Sequence, residues 1–100
     1  MRILVAGGTG IVGRAAAAAL RKHDVIIAGR SSGDIRVDVT DEASVAAMFA
    51  TLGKVDAIVA CTGNSWFGPV SSMTPQQFLG GMKDKVMGQI NLALIGLPFV

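Results

Sequence analysis

Tyrosine is absent from this 100-residue chain, cysteine and histidine occur once each, and aromatic residues make up only 5%. Cys61 alone rules out an intrachain disulfide, and His23 is the sole imidazole that could join it in a metal cluster. No metal site is expected, and a lone thiol fits a reducing, cytoplasmic setting. The few aromatics offer no stacking surface, and the formal charge of +2 comes from scattered basic residues rather than a stripe. Nucleic acid is therefore set aside as a partner. Long apolar runs are missing too. The run from Ile3 to Ala6 is shorter than the core of a secretory signal and breaks at glycines. The apolar stretch from Ile90 to Val100 is too short to span a bilayer, so no membrane role is expected.

What the chain does have is apolar material for one core, at 51% of its residues, and a single domain over residues 1–100 is expected. The apolar run of Ile3, Leu4, Val5 and Ala6 leads into Gly7-Gly8-Thr9-Gly10-Ile11-Val12-Gly13, and an alanine-rich segment follows. Strand, glycine turn and helix in that order form the arrangement that holds a dinucleotide pyrophosphate. Gly7, Gly10 and Gly13 keep a G-x-x-G-x-x-G spacing, and Gly8, Gly10 and Gly13 also satisfy G-x-G-x-x-G. Backbone N–H groups at the helix start bind the anion, helped by the positive end of the helix dipole.

The helix opened by this turn is expected from Ile11 to about Lys22, with Lys22 and His23 at its C-terminus. Strands are expected at Val25–Ala28, Ile35–Val37 and Ala57–Ala60, the last buried on both faces because no polar residue alternates through it. The gap between the second and third strands is too short for the usual crossover helix, which must be missing or reduced to a turn. Asp41 is a credible N-cap for a helix whose Val45, Met48, Phe49 and Leu52 share one face before Gly53. Thr74-Pro75-Gln76-Gln77 carries a capping box and opens a long helix that Pro98 should end or kink. Its glycines, Gly80, Gly81, Gly88 and Gly96, weaken it by about 1 kcal/mol each relative to alanine, so packing must compensate. Strands alternating with helices give an α/β, Rossmann-like doubly wound parallel sheet, in strand order 3-2-1-4, with ligands at the carboxyl ends of the strands.

These elements together resemble the N-terminal half of a short-chain dehydrogenase/reductase, over all 100 residues. Ala6 to Gly13 is similar to that family's phosphate turn in its extended and atypical members. Asp38-Val39 matches the family's Asp-hydrophobe pair, which implies that the Asp38 carboxylate accepts a hydrogen bond from the adenine amino group, with Val39 against the ring. Ala60-Cys61-Thr62-Gly63 stands where the family has Asn-Asn-Ala-Gly, whose backbone lies along the cofactor ribose. The resemblance thus implies cofactor contacts at Gly7, Gly8, Thr9, Gly10, Ile11, Val12, Gly13, Asp38, Val39, Cys61, Thr62 and Gly63. It also implies a homodimer or homotetramer through the helix after Thr74.

The end of the second strand decides between cofactors. A carboxylate there would accept hydrogen bonds from the 2′-OH of NAD, but this chain has Gly29, Arg30, Ser31 and Ser32. A guanidinium with nearby hydroxyls suits a phosphate, so NADP(H) is expected over NAD(H).

The family's catalytic Tyr, Lys and Ser come after the fifth strand begins, beyond the segment that this chain resembles. The position of the family's helix Asn is held by Lys85, three residues before Gly88, and Ala60 replaces the first Asn of the post-strand segment. Asn91 does not restore the match, because six residues of α-helix rotate it by about 240° from Lys85. No catalytic residue is therefore assigned within residues 1–100. Cys61 lacks an activating neighbour in sequence and reads as a packed thiol. Two functions follow as expectations. One is an NADP(H)-dependent oxidoreductase acting on a small-molecule carbonyl or alcohol. The other is a non-catalytic NADP(H)-binding redox sensor or regulatory protein.

Overall fold

The computed structural model describes residues 1–100. A parallel sheet of strands β1 (Arg2–Ala6), β2 (Asp24–Gly29), β3 (Ile35–Arg36) and β4 (Ala57–Ala60) runs in the order β3-β2-β1-β4. Helices α1 (Ile11–Ala19), α2 (Glu42–Leu52), α3 (Pro75–Gly81) and α4 (Gly88–Gly96) connect or follow the strands. This is the expected α/β, doubly wound architecture and strand order. No helix is long and apolar enough to cross a membrane.

Register places the carboxyl ends of the central strands side by side. Ala6 pairs with Ala28 of β2 and with Ala60 of β4. The ladder runs on one step further, with Gly7 N–H donating to Ala28 O (2.8 Å) and Cys61 N–H to Ala6 O (2.8 Å). The glycine turn after β1 and the loop after β4 therefore leave the sheet as neighbours, at the point where the strand order reverses.

Side chains alternate across β1, so Leu4 and Ala6 face one layer while Ile3 and Val5 face the other. The larger core lies on the Leu4 side, where α2 and α4 contribute Val45, Met48, Phe49 and Leu92, all buried. Asp41 caps α2, its carboxylate accepting from the N–H groups of Ala43 (3.0 Å) and Ser44 (3.4 Å). At the far end Arg2 Nη1 donates to the carbonyls of Leu52 and Lys54, both at 2.7 Å, tying the start of β1 to the end of α2. The opposite layer is thin, since Gly13 is the only buried residue of α1.

Four elements differ from the sequence reading. Helix α1 stops at Ala19, not near Lys22, because the chain must turn back to bring Asp24 into register with Arg2; Asp24 N–H donates to Met1 O at 2.9 Å. Lys22 and His23 consequently lie outside the helix, and the His23 Nδ1 is 3.3 Å from the N-terminal amine. Within residues 1–100 strand β4 is half-buried to exposed rather than buried on both faces, since β1 is its one partner among these strands. No helix separates β2 from β3, as expected, and β3 is only a residue pair whose ladder is prolonged by Val37 N–H to Gly29 O (3.0 Å). The long helix after Thr74 is interrupted. Its capping box forms as read, but residues Met82–Met87 take the wider π-helical turn between α3 and α4. Gly81 and Gly88 flank that turn, where helical preference is weakest. Pro98 lies in a single 3₁₀ turn, Leu97–Phe99, that follows α4.

Candidate functional site at the carboxyl edge of the sheet

A groove of about 510 Å³ opens at the carboxyl ends of β1, β2 and β4. Its floor is the glycine turn. Gly7 has φ of +81°, which glycine alone adopts without strain, and a Cβ on it would strike the carbonyl of Cys61. A Cβ on Gly13 would overlap the Gly7 carbonyl oxygen, so α1 can spring this close to the strand end only if position 13 is bare. Gly10 N–H turns back to Gly7 O (3.1 Å), and Gly10 is the extended N-cap residue of α1, with no side-chain cap. The open end of α1 thus faces the groove without a side chain to satisfy it, as an anion site requires.

Of the residues singled out from the sequence, Gly7, Thr9, Gly10, Ile11, Val12, Arg30, Val39, Cys61, Thr62 and Gly63 line this groove, and Lys85 does too. Gly8 and Gly13 stand behind the lining, Gly8 against Ile27 and Gly13 against the turn itself. Ser31, Ser32 and Asp38 are also outside it, although Arg30 reaches Asp38. Ala28, Gly29, Val37, Ala60, Asn64 and Asp84 complete the wall and were not read as site residues. Asn64 simply continues the loop after Gly63, a neighbour the sequence could have supplied. Asp84 and Lys85 enter from the π-helical turn, for which the sequence has no dependable signal. Asn91 is outside the lining, buried and donating from Nδ2 to Val39 O at 2.9 Å, a structural tie that holds α4 to the segment following β3.

Three charged side chains meet at one end. The Arg30 Nη2 lies 3.4 Å from Asp38 Oδ1 and 3.7 Å from Asp84 Oδ1. Asp84 is fixed from its other oxygen, Oδ2, by the Asn64 N–H at 3.0 Å. Asp38 Oδ1 also accepts from the Thr40 hydroxyl (2.7 Å) and the Thr40 N–H (3.0 Å), while Asp38 Oδ2 has no partner.

A model of the family described as NAD dependent epimerase/dehydratase matches residues 3–94. The chain belongs to that family. Among solved structures, the protein lin1944 from Listeria innocua is 43% identical, with a TM-score of 0.94 over 99% of this chain and 50% of its own. A small-chain dehydrogenase is 27% identical (TM-score 0.87, 100% of this chain, 48% of the other). RhlG from Pseudomonas aeruginosa, solved as an NADP complex, shares the fold at 23% identity (TM-score 0.86, 98% of this chain, 47% of the other). No curated protein matches the sequence. The chain spans about half the length of the solved structures it matches. Its Rossmann fold is that of the short-chain dehydrogenases.

The groove fits the dinucleotide that the epimerase/dehydratase family takes. Beyond the bare turn, the Thr62 hydroxyl oxygen is buried at the groove wall with no hydrogen-bond partner. Such a group costs about 1–3 kcal/mol when left unpaired, and a ribose or phosphate is the kind of ligand that supplies the partner. Val37 and Val39 on the lining offer a flat base an apolar wall, and Asp38, between them in sequence and just outside the lining, has an unpartnered Oδ2.

The Thr40 hydrogen bonds, with help from the Arg30 and Lys83 charges, hold the Asp38 carboxyl below its ordinary pKa. A depressed carboxylate stabilises the fold above its unfolded value of about 3.9, and this contribution disappears as pH falls through the folded value. Because the Asp38 side chain is 45% exposed, the effect on stability is small, and the titration itself is the better readout. Replacing Thr40 by Val should move the Asp38 pKa upward, toward that of a free carboxyl, in a carboxyl-carbon NMR titration. An unmoved pKa would show that the Thr40 hydroxyl does not set it, leaving the backbone N–H of residue 40 and the Arg30 and Lys83 charges as the cause.

Proposed function

We propose that the protein is an NADP(H)-dependent oxidoreductase of the short-chain type, transferring hydride between the cofactor and a carbonyl or alcohol. The observation that carries this reading is Arg30 on the groove wall at the end of β2, with no carboxylate among residues 29–32. The nicotinamide, when bound, supplies the hydride. The chain's own groups bind and orient: N–H groups of the Gly7–Val12 turn take the pyrophosphate, Asp38 Oδ2 and Val39 take the adenine, and Thr62 takes a ribose or phosphate oxygen. Arg30 takes the 2′-phosphate, with Ser31 and Ser32 in the same turn.

Replacing Arg30 by Ala in the intact protein should weaken NADPH by about tenfold while leaving NADH within about twofold, as loss of one charge-assisted hydrogen bond requires. Fluorescence titration of the two nucleotides measures this. Equal affinities in the unsubstituted protein would overturn the preference for NADP(H).

A second reading, a non-catalytic NADP(H)-binding redox sensor or regulatory protein, is favoured by one feature. Lys85 occupies the place of the family's helix Asn, on the groove lining. NADPH consumption by the intact protein with a panel of aldehydes, ketones and quinones separates the two readings. The apolar residues exposed along α3 and α4, among them Leu79 and Leu94, support a homodimer or homotetramer through this helix. A cytoplasmic setting accords with the single thiol.

A further inference from the structure

Asp84 belongs to no cofactor motif read from the sequence, yet it is the second carboxylate on the only arginine in the groove. Both carboxylates, Asp38 and Asp84, approach the same nitrogen, Nη2, at 3.4 and 3.7 Å. Asp84 is well placed to keep that contact, since its side chain is only 18% exposed and its Oδ2 is held by the Asn64 N–H at 3.0 Å. Arg30 is far more exposed, at 59%, so the mobile partner is the arginine. A guanidinium shared by two carboxylates has its own charge offset before a phosphate reaches it, and each carboxylate repels that phosphate, although the Lys83 charge also acts on Asp38 and Lys85 lines the same groove. The Nε and Nη1 donors of Arg30 remain free, so the arginine still binds, against opposition.

We infer that Asp84 is a specificity-determining residue that restrains the preference for a 2′-phosphorylated nucleotide, by occupying Arg30 and by repelling the phosphate. The inference rests on Arg30 being the reader of that phosphate.

The test is a binding cycle on the intact protein, with NADPH and NADH titrated against the unsubstituted form, Asp84→Asn, Arg30→Ala and the double variant. Asparagine keeps an oxygen for the Asn64 N–H, so the loop stays anchored, and a thermal melt of each variant checks the fold. Asp84→Asn should tighten NADPH by about three- to tenfold and leave NADH within about twofold, the range expected of a partly exposed charge pair. In the Arg30→Ala background the same change should have less effect on NADPH, because only the direct repulsion remains. An unchanged NADPH-to-NADH ratio in Asp84→Asn, with Arg30→Ala still selective against NADPH, overturns the role of Asp84 alone. Weaker NADPH binding in Asp84→Asn also overturns it, since Asp84 would then be holding Arg30 in place for the phosphate. If Arg30→Ala leaves the ratio unchanged, the phosphate reading and this inference fall together.

Discussion

Gly13→Ala is expected to lower stability by about 3 kcal/mol and to reduce NADPH binding below detection. The added methyl would overlap the Gly7 carbonyl oxygen and come within 2.6 Å of the Gly8 Cα, and both are backbone atoms that cannot rotate aside. Overpacking against a flexible side chain costs about 1–3 kcal/mol, and backbone on both sides puts this change at the top of that range or beyond. The only relief is for α1 to back away from β1, which pulls its N–H groups off the groove floor. Gly10→Ala makes the comparison sharp. A Cβ there would sit 3.5 Å from the Gly7 oxygen, an ordinary contact, and that variant should melt close to the unsubstituted protein. Thermal melts and NADPH titrations of the pair provide the measurement. Indistinguishable behaviour of the two variants would refute the close-approach account of the turn.

The second large effect lies in the core. Phe49→Ala should cost about 3–5 kcal/mol, the range for emptying a fully buried phenylalanine site. Phe49 is entirely buried, and its ring stacks on Phe99 with centroids 5.2 Å apart and planes 19° from parallel. It also packs on Gly96, so one side chain joins α2, α4 and the closing 3₁₀ turn. Val55 N–H donating to Phe99 O (2.9 Å) then connects that turn to the approach to β4. Since domains hold a net stability of only about 5–15 kcal/mol, the loss removes a large share of it. The midpoint of urea unfolding should fall steeply, and a shift below about 1 kcal/mol would mean that the layer collapses to fill the space.

The parts of this molecule that were legible in the sequence are those fixed by short-range chemistry. Asp41 and the Thr74–Gln77 box announce helix starts because a cap is satisfied within a few residues. The glycine turn was legible because bare positions after an apolar run have few other uses, and the short span from β2 to β3 left no room for a helix. Long-range geometry was not legible. Nothing near Ala19 says that α1 must stop there; the constraint is Asp24 pairing with Arg2 across the sheet. Asp84 escaped for a similar reason. Its place in the groove depends on the shape of the helix that carries it, and Lys85 was located by analogy to an Asn, not by any property of lysine.

The wide turn at Met82–Met87 acts as a phase shifter on a single axis. A uniform α-helix advances by about 100° per residue, and a π turn by less, so the segment retards everything on its N-terminal side relative to α4. That lag lets one continuous helix serve two clients. Asn91 stays locked to Val39 behind the sheet end, while Asp84 and Lys85 swing to the cofactor side. Were the seven steps from Asp84 to Asn91 wound uniformly as α-helix, with Asn91 still anchored, the two charges would be carried further round the axis, away from their place beside Arg30. For this helix, winding is a setting as consequential as residue identity.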